Sequence, residues 1–76
     1  MPRYCIRVVN RDFETSSDHE LSTMDAAKSE GLKGALQIGI QEICEGKMFC
    51  AAEIRVENEH EPSQRMMVAV GASPLQ

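Results

Sequence analysis

"EGLKGALQIGIQE", residues 30–42, sets Gly31, Gly34 and Gly39 inside one short stretch. Three close glycines suit either a backbone cradle for a phosphate or a helix with side chains missing. A phosphate loop follows a strand, opens a helix and usually carries Lys-Ser or Lys-Thr after its last glycine. Here the spacing is G-x-x-G-x-x-x-x-G, no strand leads into it, and neither Gly34 nor Gly39 precedes a lysine. "GLKG" matches the short Gly-x-x-G clamp of KH domains only superficially, with Lys33 as its one charge.

The helical reading explains more. At about 100° per residue, Ala35, Gly39, Leu32, Ile43, Leu36 and Ile40 fall on one contiguous arc. Gly31, Met24, Ala27 and Ile38 extend it, whereas Glu30, Lys33, Gln37 and Gln41 lie opposite with Gly34 beside them. Gly31 and Gly39 therefore belong to the apolar surface, where a missing side chain admits a neighbouring backbone. Gly34 has no such role. Three helical glycines together cost roughly 3 kcal/mol relative to alanine, so packing must hold this helix.

The spacing predicts a helix over about 23–45. Ser22 and Asp25 form the expected capping box, Leu21 and Ala26 a weak staple, and Gly46 the stop. Such a helix is roughly 34 Å long, against roughly 23 Å for a seven-residue strand, so it should overhang the sheet.

Before it, "RYCIRVVN" (3–10) alternates Tyr4, Ile6 and Val8 with Cys5, Arg7 and Val9, the period of a half-buried strand. "NRD" (10–12) is turn chemistry, "FET" (13–15) a short returning strand, and "SSDHE" (16–20) a polar loop. After the helix, "AAEIRVEN" (51–58) and "QRMMVAVGA" (64–72) read as strands joined by "EHEPS" (59–63), without a glycine turn. Met66 and Met67 are adjacent, so one faces the helix and the other faces out. The tail, 73–76, is expected to fray. The fold class expected is α+β, in the order β-(β)-α-β-β. One long helix lies across a small, mainly antiparallel sheet of three to four strands, in a single domain spanning 1–76.

Composition narrows function by exclusion. The 76 residues are 42% hydrophobic but hold only three aromatic side chains, Tyr4, Phe13 and Phe49. So small a core is marginal, and self-association is a natural way to bury more surface. The net charge is −4 and the eight basic residues are scattered, which argues against binding nucleic acid through phosphate neutralisation. The alternative is that folding gathers Arg3, Arg7 and Arg55 on an uncovered sheet face.

Membrane-span and signal-peptide patterns are absent. Cys5, Cys44 and Cys50 are odd in number and irregularly spaced, consistent with reduced thiols in a cytoplasmic protein. Cys44-x5-Cys50 with remote His19 and His60 lacks the paired short spacing of a structural zinc site. "DHE" (18–20) and "ENEHE" (57–61) put histidines among acids, yet neighbours in a loop do not orient one another as catalysis requires. The expectation is therefore no enzyme, no metal and no cofactor.

The apolar arc is wider than one sheet contact needs. A homodimer surface is expected at Ile38, Gly39, Ile40, Ile43, Cys44, Met48 and Phe49.

The "MPRY" opening, "LSTMDAAKSE" leading the helix and the later "EIRVENE" together resemble a family of short bacterial proteins of unknown function, common in alphaproteobacteria. The matching positions are Pro2, Arg3, Tyr4, Leu21, Met24, Ala26, Ala27, Glu30, Ile54, Val56 and Glu59. Cys5 stands where that family usually has an aromatic, Gly31 where it has alanine, and the glycine turn between the last strands is missing. The resemblance implies a small α+β domain and supplies no activity, ligand or catalytic residue.

Overall fold

The computed structural model describes residues 1–75. Its elements run β1 (Arg3–Val9), β2 (Glu14–Glu20), α1 (Met24–Cys44), β3 (Phe49–Asn58) and β4 (Glu61–Gly71). All strand pairs are antiparallel, in the order β2-β1-β3-β4. The class is α+β, in the order β-β-α-β-β.

Alternation puts Tyr4, Ile6 and Val8 of β1 and Cys50, Ala52, Ile54 and Val56 of β3 under the helix. From above, Ala27, Gly31, Ala35 and Gly39 press down as a four-residue-spaced stripe of small residues. A Cβ on Gly31 would sit 2.6 Å from Ile54 Cγ2, and one on Gly39 would sit 3.0 Å from Val70 Cγ2. Both glycines let the helix approach its own sheet, so the close neighbour is β3 or β4 of the same chain. Gly34 meets nothing within 4 Å.

The helix is continuous. Its N-cap is Thr23, whose Oγ1 accepts from Ala26 N–H at 3.1 Å, one residue beyond the expected Ser22 cap. The last turn ends as anticipated at Gly46, with φ +113°. Gly46 N–H donates to Ile43 O and Lys47 N–H to Glu42 O, each at 3.1 Å, the paired bonds of a Schellman motif. The overhang is confined to the seven-residue strands. Eleven residues of β4 extend roughly 37 Å, longer than the roughly 32 Å of α1.

The stretch 16–20 is not a loop. It belongs to β2, which pairs with β1 along its whole length, from Arg3↔Glu20 to Val9↔Glu14. The β1–β2 turn is held by Asn10 Oδ1, which accepts from Asp12 N–H (2.8 Å) and Phe13 N–H (3.0 Å). The β3–β4 connection is tighter than "EHEPS" suggested. Only Glu59 and His60 lie outside strands, and Asn58 Oδ1 accepts from His60 N–H at 2.7 Å, replacing glycine by an Asx turn. Pro62 falls in β4, an edge strand, where a missing N–H is tolerated.

Residues 72–75 carry no regular structure. The expected fraying also covers Gln76, which lies outside the described residues. Among the described residues no helix is long and apolar enough to cross a membrane, which says nothing of a β-barrel.

Candidate interaction surfaces

The two edges of the sheet differ in chemistry. β2 reads ETSSDHE, with acids at Glu14, Asp18 and Glu20. Such an edge repels further strands. β4 reads EPSQRMMVAVG, and its last six residues, Met66–Gly71, carry no charge.

Ala72 N–H donates to Met48 O at 3.0 Å, which makes Met48 and Ala72 a hydrogen-bonded pair. Register is unbroken from there to Val56↔Gln64. Bonded and unbonded pairs alternate in an antiparallel ladder, so Phe49↔Gly71, Ala51↔Ala69, Glu53↔Met67 and Arg55↔Arg65 are the unbonded ones. The backbone N–H groups of Arg65, Met67, Ala69 and Gly71 therefore point to the free edge.

The expected partner surface divides. Gly39 is buried against Val70 inside the chain. Ile38 is half-buried on the opposite flank, lining a groove with Thr15, Ser17 and His19. Ile43 is half-buried and Cys44 exposed. Ile40, Met48 and Phe49 are exposed at 56%, 63% and 65%. Leu36 (39%) and Met67 (70%) join them. Periodicity alone assigns Leu36 only to the apolar arc. On the helical wheel Leu36 and Ile40 lie beyond Gly39 on the flank away from Ile38, which is the side of β4. Met67, rather than Met66, is the outward methionine.

The sheet face away from α1 carries the arginines. Arg7↔Arg55 and Arg55↔Arg65 are register partners, so three guanidinium groups line up across β1, β3 and β4. Arg65 joins the expected basic set of Arg3, Arg7 and Arg55 through its register with Arg55. Arg3 lies on the same face, at the far end of β1 opposite Glu20. Alternation brings Glu14, Asp18, Glu20, Glu53 and Glu57 onto this face too.

Glu53 receives Arg65 Nη2 at 3.0 Å and also hydrogen-bonds Arg55 Nε. The Arg65 guanidinium, followed by that of Arg55, pulls its carboxyl down to about 2. Arg7 Nε is buried without a hydrogen-bond partner.

The remaining polar clusters fasten the fold. Lys47 Nζ bridges Glu42 Oε1 (3.0 Å) and Asp12 Oδ2 (3.3 Å), tying the helix end to the β1–β2 turn. Contact with Cys50, then Lys47, lowers the Glu42 pKa, and the same Glu42 contact, with burial, raises that of the Cys50 thiol. Tyr4 Oη donates to Glu61 Oε2 at 2.9 Å, anchoring the start of β4.

His19 meets Ser17 Oγ at 2.8 Å on an exposed strand. His60 sits in the β3–β4 turn. The cysteines are unpaired: Cys50 buried, Cys5 half-buried, Cys44 exposed. Among the described residues no three His, Cys, Asp or Glu side chains gather as a metal site.

No family model, no curated protein and no solved structure matches this chain.

Proposed function

We propose that the chain is a non-enzymatic interaction module that acts as a homodimer in the cytoplasm. One observation carries the reading. Apart from the terminal Met1 and Leu75, every exposed large apolar side chain (Leu36, Ile40, Met48, Phe49 and Met67) belongs to α1, β3, β4 or the connection between α1 and β3. Leu36 and Ile40 stand on α1, whereas Met67 and Phe49 face away from it. Exposed apolar side chains confined to neighbouring elements, on both faces, mark a contact region more than ones scattered over the whole chain do. The three free thiols suit a reducing compartment.

Nucleic acid is the weaker alternative. Arg3, Arg7, Arg55 and Arg65 share the uncovered face with five carboxylates, so a phosphate backbone meets no continuous basic track there.

Light scattering on a sizing column, across a range of micromolar loadings, tests the proposal. The expected result is twice the chain mass, reverting toward the monomer in Ile40→Glu, a site exposed enough to leave the fold intact. A monomer at every concentration overturns it.

A further inference from the structure

We infer that the partner is a second copy docked edge to edge, β4 against β4 in antiparallel fashion, joining two four-stranded sheets into one of eight strands. This rests on the homodimer reading and specifies its geometry.

β4 is the long edge of the sheet, and Met66–Gly71 present no charge to a neighbour. The N–H groups of Arg65, Met67, Ala69 and Gly71 face outward at every second residue, and an antiparallel copy offers acceptors at the same period. A two-fold axis near Val68 and Ala69 places Met67 close to the partner's Ala69. It also carries each Arg65 to the far end of the other strand, so the like charges stay apart. The other edge is unsuited, because pairing β2 with itself antiparallel about Ser17 would set each Glu14 against the copy's Glu20.

Above the junction, Leu36 and Ile40 on the β4 flank of α1 meet their equivalents across the axis. Covering these two side chains, Met67 and six residues of strand edge removes on the order of 1,000 Å² of surface in total, about the threshold for a specific pair. β-strand addition takes its affinity from such main-chain bonds and its selectivity from the side chains alongside.

Amide hydrogen exchange on the full chain reads the geometry directly. In the edge-paired dimer, the Met67 and Ala69 amides exchange about a hundredfold or more slower than in samples diluted to monomer, since opening must precede exchange. Ala69→Pro removes one outward donor at a position where an edge strand tolerates proline, and weakens the dimer at least tenfold. Ala69→Lys, on the solvent face, does the same by charge and guards against a folding defect in the proline variant. Circular dichroism checks that both stay folded.

A dimer with fast Met67 and Ala69 amides that survives both substitutions overturns the edge geometry while leaving self-association standing. A concentration-independent monomer overturns both.

Discussion

Gly31 and Gly34 are three residues apart in one helix, and the same substitution should move stability in opposite directions. Glycine to alanine gains about 1 kcal/mol of helix propensity at either position. At Gly34 nothing lies within 4 Å of the new methyl group, so the full gain is kept, and the melting temperature of a domain this size rises by about 4–8 °C.

At Gly31 the methyl group arrives 2.6 Å from Ile54 Cγ2 and 3.3 Å from Ile6 Cγ2, against about 3.5–4.0 Å for relaxed carbon contacts. Ile54 is fully buried, and its β-branched side chain has little rotamer freedom with which to retreat. Overpacking of this kind costs about 1–3 kcal/mol. The penalty exceeds the propensity gain, leaving Gly31→Ala about 1 kcal/mol less stable than the parent and about 2 kcal/mol below Gly34→Ala. Gly39→Ala, 3.0 Å from Val70 Cγ2 on the edge strand, falls between them. Urea titrations of the three variants measure this, with the slope checked for constancy. Equal stabilisation by Gly31→Ala and Gly34→Ala would refute the close seating of α1 on Ile54.

Three further expectations concern the cap, the acid limb and the thiols. Thr23→Ala should cost about 1 kcal/mol of unfolding free energy by denaturant titration, as loss of an N-cap does, while Ser22→Ala leaves stability unchanged. The folded-state pKa of Glu53 lies below its ordinary value of 4.5, at about 2. Its contribution is thus complete above about 4.5 and lost as pH falls toward 2. Melting curves across that window should fall less steeply for Glu53→Gln than for the parent. In brief alkylation followed by peptide mass mapping, Cys44 should react well before Cys50, which is buried and whose thiol pKa is raised chiefly by contact with Glu42.

Periodicity made α1, β1, β3 and β4 legible, because each buries one face and so alternates or repeats in hydrophobicity. β2 was illegible on that criterion. As an edge strand exposed at all but His19, it has no apolar side to announce it. Its own signal was in charge: Glu14, Asp18 and Glu20 fall at even spacing on one face, opposite Val9, Cys5 and Arg3. The N-cap moved one residue because Ser22 and Thr23 are chemically equivalent caps, and only backbone geometry chooses between them. The exposed apolar side chains were half legible. The width of the apolar arc indicated excess, but the wheel could not say which flank β4 would cover, so Ile38 and Ile40 were joined although the helix separates them. Neither the free edge of β4 nor Arg65 beside Arg55 can be read before strand order is known.

The unequal edges of the sheet also govern how far association can go. A strand edge that accepts one neighbour usually offers that neighbour's far edge to the next, which is how sheets grow into fibres. Here the far edge is β2, and its acids stop growth there. With one uncharged edge and one acidic edge per chain, the proposed contact through β4 would be isologous and would close on itself at two copies. On that proposal, neutralising Glu14, Asp18 and Glu20 would turn a self-limiting pair into an open-ended polymer.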